Sequence, residues 1–437
     1  MKKTSLYNHF IDNGSHTFLY NVATDQVLAL NSSLVELIQK HQTNIDELKT
    51  IHPSLFEALS QKGMIIDDTV NEVEAIIEQW NKKESDPSHF TITILPTLDC
   101  NLRCWYCYEE HKKGSVMKDA IKDRVFLLIE NLTQRDNFEH LHLDFFGGEP
   151  LLSFTNIILP ILKYAREKCT AHQVKLSLHI TTNGVLLTEK IIDQLKQIEF
   201  DYIPSFQITL DGNREKHNAT RYTCKGQPTF DLILQNIRRV LKASMIVNNR
   251  FNYTQENVET LVDIIDEYKD LPEEEKKYLS FDFQQVWQES NQTSNRKKAL
   301  SIKEKFKKEN LNINIDNQYN KDRCYAEYEN KVVINYNGDL YKCTARDFVP
   351  DLREGTLNED GTLTWNTRYA KRMSLKNGNK TCRACSIFPI CHGRCSQAKL
   401  EKSDINTCIA NRNEEEKKEL VKERLHYLLT ESNKYNQ

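Results

Sequence analysis

The alternation of apolar and polar positions sets out an N-terminal module first. "TFLYNV", the turn-like "ATDQ" and "VLAL" read as a β-hairpin, and Leu34, Val35, Leu37 and Ile38 then mark the apolar face of a helix. A second helix around Leu55 to Leu59 leads to a short strand at Met64 to Ile66. Val73, Ile76, Ile77 and Trp80 fall on one face of a third helix, and "NKKESDPSH" reads as a linker. This order suggests a winged-helix-like unit over residues 1–85. From Phe90 the pattern changes. The β-rich runs "FTITIL", "LHLDFF", "LSLHITT", "SFQITL", "MIVNNRFNYT" and "LSFDFQQV" alternate with helical segments such as "MKDAIKDRVFLLIENL" and "TFDLILQNIRRVL". Such alternation predicts an α/β region, 90–310, of parallel strands joined by helical crossovers. The remainder, 311–437, closes with a predicted helix carrying Leu420, Val421, Leu425 and Leu428 on one face.

Composition narrows the function classes. A chain of 437 residues is long enough for two or three domains. A net charge of -3 gives no basic footprint for nucleic acid or for an anionic membrane surface. Within the N-terminal module acidic residues outnumber lysines, and the first arginine of the chain is Arg103, which argues against a DNA-binding winged helix. No run is long enough to span a bilayer, and "MKKTSLYNHFIDNG" lacks the apolar stretch of a secretory signal, so a cytoplasmic location is expected. Twelve cysteines in such a chain point to metal or redox chemistry.

The cysteines carry the most specific signal. Cys100, Cys104 and Cys107 form CxxxCxxC just after the first strand of the α/β region. Three thiolates cannot close a tetrahedral zinc site, but they can hold three corners of a [4Fe–4S] cube with its fourth iron open. Gly147, Gly148, Glu149 and Pro150 follow the second strand: two glycines admit close backbone approach, and a carboxylate accepts hydrogen bonds from an ammonium. These two motifs together resemble the radical S-adenosylmethionine (SAM) superfamily, including the aromatic Tyr106 before the third cysteine.

The resemblance implies a partial (β/α)6 barrel with functional groups at the carboxyl ends of its strands, a SAM-binding [4Fe–4S] cluster on Cys100, Cys104 and Cys107, and SAM contacts from Gly147, Gly148 and Glu149. Further SAM contacts implied in the same way are Thr182 and Asn183 after the third strand, and Thr209, Asp211 and Arg221 around the exit of the fourth. An arginine suits the SAM carboxylate, and an acid suits an amine or a ribose hydroxyl.

A second cysteine group comprises Cys324, Cys343, Cys382, Cys385, Cys391, Cys395 and Cys408, and its order resembles the SPASM extension of radical SAM enzymes that modify peptides. That resemblance implies two auxiliary [4Fe–4S] clusters, one on Cys382, Cys385, Cys391 and Cys408, the other on Cys324, Cys343 and Cys395. The second lacks a fourth cysteine upstream, where the chain offers Asp316 and Asp322. An aspartate, a substrate amide or a substrate thiolate are the alternatives, and iron's affinity for sulfur favours the thiolate. Structural zinc is the competing reading of these cysteines. Cys169 reads as an ordinary packed or exposed thiol, and Cys224, in the loop after Arg221, could approach the active site but has no motif around it.

The implied function is a maturase of ribosomally made peptides. In such an enzyme a 5′-deoxyadenosyl radical abstracts hydrogen from a precursor peptide, and a thioether or carbon–carbon cross-link follows. The N-terminal module resembles leader-peptide recognition elements, which add a substrate strand to a sheet edge. A flavodoxin or ferredoxin-type reductant is the other implied partner. An anaerobic sulfatase-maturase-like protein oxidase is the alternative enzyme, though Thr344 stands where that type carries an acid. A catalytically inactive peptide-binding scaffold with structural zinc is the alternative of another class. No side chain is identified as a catalytic base.

Overall fold

The computed structural model describes residues 1–14, 16–289, 292–314, 322–402, 404 and 406–432. Contacts divide the chain into two units, which do not follow sequence order. One gathers Met1–Ser85 with the described parts of 316–328 and 371–437, and the other holds 86–315 and 329–370. Described residues of 311–437 fall in both units.

The first unit opens with β1 (Lys2–Thr4), β2 (Asn8–Asp12), β3 (Thr17–Asn21) and β4 (Gln26–Leu30), followed by α1 (Ser32–Lys40), α2 (Pro53–Gln61), β5 (Ile65–Asp67) and α3 (Glu72–Glu84). Strands β2, β3 and β4 form an antiparallel meander, while β1 pairs with β5. Asn31 starts α1 and Asn71 starts α3, each side chain accepting a backbone N–H of its first turn. The apolar face of the meander is covered by distant sequence. Tyr7, Tyr20 and Val22 share a core with Ile77 of α3, with Ile387, Phe388 and Ile390, and with Leu420, Val421 and Leu425 of the last helix. A buried ion pair fixes the same arrangement: the Arg323 guanidinium bonds both oxygens of Glu84 and the Lys376 carbonyl, with both charged side chains almost wholly excluded from solvent.

The second unit is built on one sheet of 11 strands. Its centre runs β6 (His89–Ile94), β7 (His140–Phe145), β8 (Lys175–Thr182), β9 (Ser205–Thr209), β10 (Ile246–Tyr253) and β11 (Leu279–Gln285), all parallel and adjacent in sequence order. The crossover helices α4 (Asp119–Thr133), α5 (Leu159–His172), α6 (Glu189–Lys196) and α7 (Phe230–Lys242) pack on one face, where Leu141, Leu143, Phe145, Leu176, Leu178 and Phe206 meet Val125, Ile129, Leu162, Ile192 and Ile237. Parallel strands covered on both faces read as unbroken apolar runs. These strands alternate, so their second face is the polar inner face of a partly open barrel.

The sheet does not stop at the six strands expected. Beyond β11 lies β12 (Asn312–Ile313), and beyond β6 lie β13 (Lys331–Ile334), β14 (Asp339–Tyr341), β15 (Gly355–Leu357) and β16 (Leu363–Trp365). An edge strand leaves a row of backbone groups unpaired. β13 satisfies that edge of β6 in parallel register, Val332 opposite Ile92.

Near the other end of the sheet, Phe251, Phe281 and Phe306 form an aromatic cluster, with ring centroids 4.8 to 5.8 Å apart. Phe281 is fully buried. Phe281→Ala is expected to lower the unfolding free energy by about 3–5 kcal/mol, read from urea unfolding of both proteins.

Candidate active site

The loop that follows β6 carries Cys100, Cys104 and Cys107, and short-range bonds shape it. The Cys107 N–H donates to the Cys104 carbonyl at 3.1 Å, and the Leu102 N–H to the Cys100 sulfur at 3.4 Å. Arg103 Nη1 donates to the carbonyls of Cys100 and Leu102. Burial pushes the Cys100 thiol up to about 12, helped by the Glu149 charge, and the Cys107 thiol up to about 11; Cys104 moves in the same direction for the same cause. A cation bound here must therefore displace protons, which couples its affinity to pH.

The 147–149 turn is laced to this loop through the backbone. Gly148 N–H donates to Thr97 O at 3.2 Å and Glu149 N–H to Asp99 O at 2.8 Å. A Cβ on Gly147 would stand 2.5 Å from Thr97 O, and one on Gly148 2.3 Å from Asp99 O. The glycines thus admit the backbone of the cysteine loop itself. Glu149 is fully buried, and burial raises its carboxyl. Its oxygens accept from Leu151 N–H, the Thr182 hydroxyl at 2.7 Å and Asn183 N–H at 2.8 Å. Asn183 Nδ2 in turn reaches Asn101 Oδ1 at 2.8 Å and the Cys100 sulfur at 3.8 Å. Six of the sequence-predicted positions, Cys100, Gly147, Gly148, Glu149, Thr182 and Asn183, are joined in this way.

Asp211 and Arg221 belong to a second network. The Tyr106 hydroxyl donates to Asp211 and accepts from Arg221 Nη1 at 2.7 Å and from Asn252 Nδ2 at 3.2 Å. Arg221 Nη1 stands 3.7 Å from Asp211 Oδ2, and burial raises the Asp211 carboxyl despite that charge. His217 supports the turn, its ring bonded to Asp211 N–H and to the Thr229 hydroxyl. Thr209 ends β9 opposite Arg250 of β10. The Nε of Arg221 is buried without a hydrogen-bond partner. A donor left unpaired at such cost suits an acceptor that the protein does not itself provide.

The inner face of the sheet carries Thr93, His142, Asp144, Ser177, His179, Gln207, Arg250, Asn252, Asp282 and Gln284, set there by strand alternation. The Ser177 hydroxyl bridges His140 Nε2 at 2.7 Å and His142 Nδ1 at 2.6 Å. One oxygen of Asp144 accepts from Thr93, and the other is buried without a partner. Beside the third cysteine, burial and the Asp347 charge push Glu109 up to about 8.

In the first unit, Cys382, Cys385, Cys391 and Cys408 line one cavity. A Cβ on Gly393 would meet the Cys382 sulfur at 3.0 Å, and one on Gly378 would meet Cys382 Cβ at 3.1 Å. Among the described residues no three Cys, His, Asp or Glu side chains are gathered as a single metal ion requires. Four thiols around one cavity are the donor set that a [4Fe–4S] cube takes. Cys324 and Cys395 lie in the same unit and Cys343 in the other. Asp322 pairs with Lys83, while Asp316 falls outside the described residues. Cys169 is packed rather than exposed, buried in the core between sheet and helices, and Cys224 donates to the Asn101 carbonyl.

Residues 94–268 match the model of the radical SAM superfamily. The chain carries a radical SAM domain. A radical SAM cyclopropyl synthase, TigE, of Paramaledivibacter caminithermalis is 28% identical over 217 residues, 45% of either chain, so the match spans less than half of that protein. A cysteine-type anaerobic sulfatase-maturating enzyme of Clostridium perfringens is 22% identical over 343 residues, 70% of this chain and 88% of that one. The structure of Streptococcus suis SuiB bound to S-adenosylmethionine superposes with a TM-score of 0.51 at 16% identity, covering 94% of this chain and 100% of that one. This last likeness concerns the fold. Among the described residues no helix is long and apolar enough to cross a membrane.

Within the radical SAM domain, sequence reasoning did not assign Tyr106 its hydrogen-bonding role, and it missed Asn252, His217 and the polar inner face. The signal for that face was present: "LHLDF", "LSLHIT" and "SFDFQQ" alternate where a fully covered parallel strand would not.

Two predictions follow from this geometry. Gly148→Ala is expected to push the 97–99 backbone away and lower the iron retained by the Cys100 loop, measured as iron per chain after anaerobic reconstitution. Burial lowers His142 from its ordinary 6.5 to about 4. The unfolded chain then binds the extra proton between those values, so the contribution of His142 to stability is complete above pH 6.5 and is lost as pH falls toward 4. His142→Gln is expected to flatten the pH dependence of the urea midpoint across that window.

Proposed function

We propose that this chain is a radical SAM maturase of a ribosomally made peptide. Its reaction is taken to join two positions of the substrate through a thioether or carbon–carbon bond. The observation that carries the reading is the Cys100 loop laced to the Gly147–Glu149 turn, beside an Arg221 Nε that lacks a partner. Cys100, Cys104 and Cys107 would hold a [4Fe–4S] cluster. Backbone groups of Gly147 and Gly148, with Asn183, Thr209, Asp211 and Arg221, are the candidates to hold SAM. When bound, these cofactors supply a one-electron reductive cleavage that removes a hydrogen atom from the substrate.

The protein's own part is placement. Glu149 spends its carboxylate on Leu151, Thr182 and Asn183, so its role in this reading is to fix the ends of β7 and β8 relative to Cys100. Tyr106 and Asp211 orient the Arg221 guanidinium. The polar inner face offers donors and acceptors to an extended peptide, whose backbone needs both. Residues 1–85 are read as a winged-helix-like leader-recognition module whose sheet edge takes a peptide strand. The C-terminal cysteines are read as a SPASM region with two auxiliary clusters, and a flavodoxin or ferredoxin-type protein as the reductant. Cys382, Cys385, Cys391 and Cys408 are assigned to one auxiliary cluster because they line one cavity. Assignment of Cys324, Cys343 and Cys395 to the other rests on the resemblance alone.

A sulfatase-maturase-like protein oxidase is the second reading, favoured by the sequence likeness over 70% of the chain. Coexpression with a short precursor encoded beside the gene separates the two. A mass loss of two hydrogens without a free aldehyde supports the maturase, whereas a hydrazide-reactive aldehyde supports the oxidase. SAM cleavage to 5′-deoxyadenosine by the anaerobically reduced protein tests what both share. Cys104→Ala is expected to bring that cleavage to background, followed by chromatography of the nucleoside product. Cleavage undiminished in that variant would refute the assignment of the loop.

A further inference from the structure

The segment that lines the thiol cavity of the first unit is backed by the N-terminal module. Phe388, which lines the cavity, meets the Trp80 ring of α3 edge-on at 5.0 Å, and Trp80 meets the His392 ring at 5.2 Å. The Arg323 guanidinium stands 4.7 Å from the same indole and is held by Glu84, one turn further along α3. Strand β2 reaches the neighbouring segment: His9 Nε2 lies 3.1 Å from the carbonyl oxygen of Ser386, the residue after Cys385. The Gly378 and Gly393 backbones also approach Cys382 closely. A displacement of α3 or β2 therefore moves the 382–392 segment, because these half-buried contacts pack on a shared core.

We propose that α3 and β2 buttress an iron–sulfur site from behind its lining segment, with Trp80 and His9 as its positioning residues, so that cluster occupancy and order in the N-terminal module are thermodynamically linked. The inference rests on reading Cys382, Cys385, Cys391 and Cys408 as ligands of one cluster. A cluster that binds only the ordered arrangement stabilises the module, and by reciprocity whatever orders the module tightens the hold on the cluster. A peptide strand laid on the sheet of the module is one such influence, so recognition of the substrate is registered at a redox centre before any chemistry begins.

The test uses the full chain, reconstituted anaerobically. Trp80→Ala is expected to lose about four irons per chain, the content of one cube, and one set of electron paramagnetic resonance signals. Trp80→Phe, which restores a ring against Phe388, is expected to keep both. Cys385→Ala is expected to speed amide hydrogen exchange in 8–12 and 72–84 while leaving the barrel strand 175–182 protected. Iron content and spectrum unchanged in Trp80→Ala, or exchange unchanged in Cys385→Ala, would overturn the linkage. SAM cleavage measured on the same samples belongs to the Cys100 loop, and so separates failure of the linkage from failure of the proposed function.

Discussion

The backbone hydrogen bonds between Gly148 and Thr97 and between Glu149 and Asp99 are the constraint on which the candidate site depends. A loop of thiols has little to order it before a metal cluster binds, and the carbonyls of Thr97 and Asp99 find no backbone donor within it. The second strand's exit turn supplies the missing partners, and it approaches closely enough only because two consecutive residues have no Cβ. Glu149 then extends the restraint to β8, its carboxylate spanning from Leu151 to Thr182 and Asn183. Three loops from three strands are fixed together by one buried carboxylate and two backbone bonds. In this arrangement the buried Glu149 carboxylate braces these loops through the hydrogen bonds it accepts from Leu151, Thr182 and Asn183.

A different constraint shapes the barrel. Its parallel strands are covered by helices on one side and carry histidine, aspartate, glutamine and arginine on the other. Polar residues persist on a concave face only where water or a ligand reaches them. Ser177 between two imidazoles, and Asp144 with one oxygen unpaired, show that this face is not satisfied by its own hydrogen bonds alone. The alternation that builds the sheet therefore also sets a row of polar side chains on the inner face.

What was legible in the sequence was local. The CxxxCxxC loop, the glycine turn and the strand–helix alternation each occupy a short window, and each lies where its pattern implied, with the cysteine loop after β6 and the glycine turn after β7. The role of the glycines was legible only in part. Their freedom was expected to admit a ligand, whereas the geometry shows the cysteine loop filling that space. The extent of the sheet was not legible, because β13 to β16 are strands of three or four residues that gain their meaning from the open edge of β6. Tyr106 was legible as an aromatic beside a cysteine, but its partners Asp211 and Arg221 lie 105 and 115 residues away.

The composition of the first unit was beyond any local pattern, and its physical basis is the pair Glu84 and Arg323, separated by 239 residues. Two charges removed from water gain little net stability from each other, because desolvation offsets most of their attraction. Left unpaired, however, either would be costly to bury, so the pair acts against every arrangement that separates them. The guanidinium also bonds Lys376 O and packs on Trp80, which adds directional demands that apolar contacts do not make. An interaction of this kind specifies which surfaces meet more than how strongly they hold. It joins the end of the N-terminal module to the segment that precedes the thiol cavity, and it makes these distant stretches of chain a single compact unit. Stability can then come from the shared apolar core of Tyr7, Tyr20, Ile77, Phe388 and Val421, whose burial is unspecific in direction and needs such a guide.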